Sequence, residues 1–435
     1  MLGSVQGRPH KPSVRRSHDA SPRCEERGRV PTARSIRVTT WSIAAGVTIA
    51  SMAMNFWIPL LPLYMQEIGA GDRGSALFWT AVANSTLGLA RIVSGPVWGM
   101  ISDRYGRKPM YVRTLIFASG TIVIVAAAQT PWHIAVAFAV QGLLSGFIPA
   151  AVALMSVSVP EERMTESLSL VTGGQYLGNT IGPALGAVLV VLLGYRGSIL
   201  AGAALPIIAA IIVQLLVRRD EVEPRPATPA AGASRAAPAR ALWRTLPAQF
   251  YFAVFIFFLV FALTQLVRLL APLALQDIEG RTDVAGVTGL AFSVSGAAAV
   301  AGILLVGRGG AGPGRLRLAL VAGAASAAVT SAALAFVTDA TGFIVLFSLA
   351  AMAQAAMIPI TNTLIATNVS RERRGTGFGL ASSAQALALM AGPIAAAALG
   401  AGSLDLAFLV IGLVFAGMVA FVLLAIREPS AAAPA

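Results

Sequence analysis

The residues with chemistry to offer are few and unevenly placed. Only 12% of the 435 residues are charged, yet Gly99-Met-Ile-Ser-Asp103-Arg104-Tyr-Gly106-Arg107-Lys108 packs one carboxylate and three cations into ten positions. A lone carboxylate on a glycine-hinged run suits ion-pair and helix-end chemistry. Facing a helix amino terminus, it gains about 0.3 to 1 kcal/mol when exposed and up to about 2 when partly buried. Two further cations, Arg91 and Arg268, stand inside long apolar stretches, and Glu67 and Asp277 stand at the ends of two others. Uncharged hydrogen-bonding groups recur within such stretches at Asn55, Gln141, Gln265, Gln354 and Asn362, beside aromatic residues that include Phe56, Trp57, Phe138 and Phe147.

Several kinds of chemistry are excluded by the same inventory. His10, His18 and His133 are scattered, so no converging histidine or carboxylate cluster supports a lipid-acting membrane enzyme. The single cysteine, Cys24, rules out structural disulfides and cysteine-based metal sites. A G-x-x-x-x-G-K-[ST] loop is absent, so ATP hydrolysis by this chain is not expected, and neither is any cofactor. The formal charge of +13 is spread over loops and tails rather than gathered on one soluble domain, which argues against nucleic acid.

What positions these groups is membrane. With 56% hydrophobic residues and a mean hydropathy of +0.76, the chain exceeds the apolar share of ordinary soluble domains. Apolar segments of about 20 residues, the length that crosses a hydrocarbon core roughly 30 Å thick, recur about twelve times. The expected spans run approximately over 39–66, 76–101, 109–128, 131–158, 167–194 and 197–217, then 246–276, 284–306, 315–338, 341–368, 376–400 and 404–426. Each must be helical, because lipid offers no partner to backbone amides. By these bounds, none of the 19 acidic residues falls deep inside a span, Asp405 standing at the very start of the last. Arg91 and Arg268 do, at a cost of about 2.5 kcal/mol or more at the bilayer centre, so each needs a cavity or a partner. Arg91 shares a helix face with Asn84, Gly88 and Gly95 and reads as structural.

Lys and Arg positions set the orientation. The stretches Arg8 to Arg37, Arg104 to Arg113, Arg218 to Arg244, Arg308 to Arg317 and Arg371 to Arg374, with Arg163 and Arg427, fall on one side. Only Arg73, Arg196 and Arg281 fall on the other. Both termini are therefore expected in the cytoplasm. Residues 1–38 read as a disordered basic tail, 39–217 as one six-helix unit, 218–245 as a Pro- and Ala-rich linker, 246–427 as a second unit, and 428–435 as a tail. The two units are copies in one register. Pro62-Leu63 through Gln66 repeats as Pro272-Leu273 through Gln276, and Pro149 repeats as Pro359. Gln175 repeats as Gln385 and Gly182-Pro183 as Gly392-Pro393, every pair 210 residues apart. One ungapped offset over three helix pairs means duplication, and an even number of helices per unit makes the copies parallel.

The pattern G-x-x-x-D-R-x-G-R-K resembles the loop between helices 2 and 3 of the major facilitator superfamily of transporters. Gly178, Gly182-Pro183 and Gly186, with Gly174 one turn earlier, resemble the helix 5 motif of that superfamily's antiporters. Over residues 40–217, through Pro59, Pro62 and Gly142-Leu-Leu-Ser-Gly146-Phe147-Ile148-Pro149, the chain is similar to its drug-exporting antiporters. The resemblance implies an all-α membrane protein of two parallel six-helix bundles, a monomer that exchanges amphiphilic small molecules for protons. It assigns Gly99, Asp103, Arg104, Gly106, Arg107 and Lys108 to a latch facing the start of helix 11 near Gly375 to Gly377. Asp103→Asn is then expected to impair efflux while leaving expression and membrane insertion intact; normal efflux by that variant removes the latch.

Asn55, Trp57, Phe138, Gln141, Gln265, Arg268, Gln354 and Asn362 are the candidate cavity residues. The polar ones serve either substrate or helix-to-helix bonds, and most aromatics are expected against lipid. Arg268 reads either as a contact for an anionic substrate or as a side chain snorkelling to the outer surface. Phe138 stands where many such antiporters carry an arginine, so the proton site falls by elimination on Glu67 and Asp277, which read equally as solvated helix ends. A transporter of one organic anion is the alternative, and a non-transporting scaffold a more distant one.

Overall fold

The computed structural model describes residues 33–144, 146–160, 163–217, 246–306, 314–369 and 374–428. The proposed linker at 218–245 and most of both tails lie outside them. Within helices, the side chains of Gly99, Asp103, Arg104 and residues 374–379 also lie outside the described set, and with them the latch contact itself.

Thirteen α-helices make up the described chain. The first half holds α1 (Ala33–Asn55), α2 (Leu61–Met65), α3 (Arg73–Tyr105), α4 (Arg107–Ala126), α5 (Pro131–Leu144), α6 (Phe147–Ser158), α7 (Met164–Gly202) and α8 (Ala204–Leu216). The second holds α9 (Ala248–Leu305), α10 (Leu316–Ala333), α11 (Ala340–Thr367), α12 (Arg374–Gly400) and α13 (Leu404–Ala425). Ten stretches are long and apolar enough to cross a membrane by length and composition. The helix Arg73–Tyr105, which carries Arg91, is not among them, and Leu170–Leu216 counts once although it runs for 47 residues.

Two long helices conceal sharp reversals. Gly194 (φ 69°) breaks α7 and Gly280 (φ 77°) breaks α9, each at a backbone setting that a Cβ disfavours. Gly106 (φ 94°) does the same between α3 and α4, so the charged run at 99–108 is a one-residue corner rather than a loop. The first expected span is continuous only to Asn55, after which a 3-10 turn at Ile58–Leu60, α2 and a π turn at Gln66–Ala70 carry it to its end. Prolines at 59 and 62 account for this, since neither can donate the hydrogen bond that would continue the helix. The fourth expected span is likewise broken, between Leu144 and Phe147.

Each half has its own buried core, one running from Ile43 to Val217 and the other from Phe250 to Ile426. Four side chains of the first half, Leu60, Leu63, Leu77 and Val190, belong to the second core. All four lie toward the end of the bundle opposite Ala33, called here the far end. The halves are therefore sealed there by apolar packing. Outward-facing leucines and phenylalanines such as Leu424, Leu413 and Phe336, each more than 70% exposed, form the belt that lipid must cover.

Candidate functional site

The glycines of α7 do what their four-residue spacing predicts. A Cβ at Gly182 would lie 2.8 Å from the Met52 carbonyl oxygen, and one at Gly178 the same distance from the Met52 amide nitrogen. One at Gly186 would collide with the Phe56 carbonyl. Backbone meets backbone along this seam, as small-residue stripes permit. Pro183 is buried in the same helix, and its carbonyl abuts Gly289 of α9. The second copy repeats the device, with Gly392 of α12 set against the Ala262 carbonyl of α9.

Beside this seam the Asn55 side-chain amide donates to Asn179 Oδ1 at 2.8 Å and to the Ser51 carbonyl at 3.0 Å. Asn179 went unremarked in the sequence, although it follows Gly178 directly. Gln141 is buried and donates to the Met54 sulfur at 2.9 Å. Two of the proposed cavity amides thus tie helices together in this state. Gln354 is also buried, but its Nε2 has no partner among the described residues. Gln265 and Asn362 are half-buried.

The aromatic expectation needs correction. Phe56, Trp57, Phe138 and Phe147 are all buried rather than turned to lipid. Trp57 meets Phe138 edge to face with ring centroids 5.7 Å apart, and the Trp57 indole N–H is unpartnered. Trp and Phe at 57 and 138 pack better against each other than against mobile acyl chains, because offset aromatic pairs add about 0.5–1.5 kcal/mol to area burial.

Arg268 makes no ion pair or hydrogen bond among the described residues, and its guanidinium carbon lies 5.5 Å from the Phe292 ring centroid. Phe292 sits twelve residues past the Gly280 reversal and Arg268 twelve before it, so ring and cation share a depth of roughly 18 Å from the far end. The side chain has not snorkelled.

The hinge cations divide their tasks. Lys108 is buried and donates to the Gln214 carbonyl at 2.9 Å and to that of Val217, closing the carboxy-terminal end of α8. Arg107 donates to the Ala153 carbonyl at 3.2 Å. Lys108 is thus a helix cap rather than a solvated topology anchor.

Hydrogen bonds between the two halves are found at the far end among the described residues. Gln66 and Gln276, equivalent in the repeat, exchange amide bonds at 3.0 and 3.2 Å. Arg73 forms an ion pair with Asp277. Glu67, the repeat equivalent of Asp277, is exposed and unpaired among the described residues. Leu77 of α3 fits against Gly400 of α12 at the same level.

Two helical halves built on one repeat, sealed at one end and carrying unpaired polar groups inside apolar helices, define a membrane transporter. The chain belongs to the Major Facilitator Superfamily, whose sequence profile matches residues 43–313 and, overlapping, 285–435. The "Multidrug resistance protein MdtG" of Klebsiella pneumoniae is 27% identical over 401 residues, 91% of this chain and 94% of that one. Its namesake in Proteus mirabilis is 32% identical over 190 residues, 44% of this chain and 47% of that one. Among solved structures, the nucleoside transporter NupG superposes with a TM-score of 0.67 at 17% identity, covering 88% of this chain and 97% of that one. The protein is a multi-pass cell-membrane transporter of small molecules, and not an enzyme.

Proposed function

We propose that the chain exports amphiphilic small molecules in exchange for protons, by rocking of two six-helix halves, with twelve spans and both termini in the cytoplasm. The observation that carries the reading is the position of the polar contacts between halves. Gln66–Gln276 and Arg73–Asp277 join them at the far end, which the Lys and Arg distribution makes the outer one. This state is then closed outside and poised to receive substrate from the cytoplasm. The Gly178–Gly186 seam with Pro183 supports the antiporter assignment, and the names of the relatives support drug export.

Proton coupling would use the outer carboxylates. Asp277 is neutralised by Arg73 while the outer gate is shut; opening the gate parts them and leaves the carboxylate free to take a proton, with Glu67 as its repeat partner. The ion pair is partly exposed, and such pairs contribute about 0.2–1 kcal/mol. Arg73→Gln or Asp277→Asn is thus expected to shift the balance toward the outward-open state by about 1.5- to 5-fold. Distance measurements between far-end spin labels, on a Cys24→Ser background, would read this. The double variant should add little to either single change; additive shifts would show that the two residues act separately.

Flux into proteoliposomes under an imposed pH gradient, with cationic, neutral and anionic dyes in parallel, tests the whole reading. Movement indifferent to the gradient would sink proton antiport. Arg268 favours a second reading, transport of an organic anion, since it is an unpaired cation at depth with no carboxylate deep in any expected span to offset it.

A further inference from the structure

A crevice of about 450 Å³ is lined by residues of the first half alone. It is lined by α3, by α4 and by the first two turns of α6. Three arginines, Arg91, Arg107 and Arg113, line it, and no acidic side chain does so among the described residues. Arg91 is roughly 20 Å in from the Tyr105 end of its helix, and Arg113 roughly 9 Å in from Arg107. The cations therefore descend from the near surface toward the middle of the bilayer.

Arg107 is bonded, but the two deeper arginines are not. Arg113 holds its guanidinium 3.3 Å above the Trp98 ring centroid, and its Nε and Nη1 are buried without a hydrogen-bond partner. Arg91 has neither ion pair nor hydrogen bond among the described residues. Charge held at bilayer depth without a partner is costly even where, as at Arg91, the side chain is open to the crevice, and a bound anion is the direct remedy.

The broken fourth span supplies further donors. On its carbonyl side the break is satisfied by α3, where Ser94 donates to the Gly142 carbonyl at 2.8 Å and Trp98 to that of Leu143. On its amide side no side chain caps α6, and Gly146, Phe147 and Ile148 line the crevice. A half-helix amino terminus beside unpaired arginines is the arrangement by which interrupted membrane helices hold anions.

Beside the hydroxyls of Ser94, Ser102 and Thr114, the wall carries the apolar side chains of Met110, Phe147 and Ile148. Its flanks, Val97 of α3, Leu143 of α5 and Phe117 of α4, are exposed apolar side chains that belong to the lipid-facing surface. An occupant entering sideways from the bilayer meets hydrocarbon first and cations at the bottom. We infer that this crevice is a binding site for an anionic phospholipid, its phosphate held by Arg91, Arg113 and the amino terminus of α6, and its acyl chains lying against α3 and α4.

The test is binding rather than flux, so it stands apart from the proposed transport. The full-length protein in nanodiscs of phosphatidylcholine should unfold at a higher temperature when phosphatidylglycerol is included. Arg91→Gln with Arg113→Gln should remove that increment, while Arg113→Lys should keep part of it. An increment unchanged in the double variant, or one reproduced in full by inorganic phosphate alone, overturns the assignment. A second measurement needs no arginine substitution. Phosphatidylglycerol with brominated acyl chains should quench tryptophan emission more than the equivalent phosphatidylcholine does, and Trp98→Phe should abolish the excess. Equal quenching by the two lipids, or an excess that survives in Trp98→Phe, would refute a lipid in this crevice.

Discussion

Gly186→Leu is expected to abolish transport and to lower the yield of folded protein several-fold, whereas Gly173→Ala on the same helix should change neither. The contrast comes from what each glycine meets. A side chain at Gly186 runs into the Phe56 backbone carbonyl, which cannot swing aside as a flexible side chain can. A Cβ at Gly173 has nothing within 4 Å. Overpacking a well-fitted interface costs about 1–3 kcal/mol when side chains can shift, and more where backbone must. In this seam the cost is also mechanical. Phe56 begins the irregular stretch between α1 and α2, so moving it displaces Trp57 and the outer gate beyond. Transport assayed in whole cells, beside yield and thermal stability in detergent, would check both variants. Active, stable Gly186→Leu would show that the α1–α7 contact is not tight in the working protein.

Arg268→Gln is expected to cost at least about tenfold in transport of anionic dyes, the loss of about 1.4 kcal/mol of charge-assisted interaction, while neutral dyes lose little. The reasoning begins with energy. A guanidinium at mid-depth without a partner is maintained at a cost, and Phe292 offsets only part of it through a cation–π contact at 5.5 Å. Replacing it should make the protein more stable while making it poorer at its task, the combination that marks a functional charge. Arg268→Lys separates charge from shape: it keeps the cation and loses the planar fork that grips carboxylates and phosphates from two sides. Equal loss for anionic, neutral and cationic dyes would instead assign Arg268 to architecture.

The scale of the fold was legible because lipid enforces it. Segment length, Lys and Arg distribution and the register of 210 follow from solvent and duplication, and all are visible in one dimension. The glycine stripe was legible for the same reason, since a spacing of four is already a face. Interruptions inside spans were less so. The expectation of one continuous span over 131–158 missed the break before Phe147, and which side of that break is satisfied depends on Ser94 and Trp98 of another helix. Asn179 escaped notice because its partner Asn55 is 124 residues away, and nothing local distinguishes a bonded asparagine from a free one. Arg91 was placed on a packing face by periodicity alone. The crevice it shares with Arg113 exists only because α3 and α4 diverge around the start of α6.

The reciprocal bond between Gln66 and Gln276 records how the molecule began. If the two halves arose by duplication of one six-helix unit, as the 210-residue register implies, these positions were once one residue on two identical subunits, able to meet itself across a two-fold axis. A self-meeting residue is chosen under an unusual constraint, because every substitution changes both sides of the contact at once. A carboxylate would face a carboxylate and an ammonium an ammonium. An amide carries a donor and an acceptor together and so complements its own copy. Fusion lifted that constraint, and the neighbouring positions have since diverged, Glu67 from Asp277 and Tyr64 from Ala274. The glutamine pair has not, and it stands where the axis of such a dimer would run.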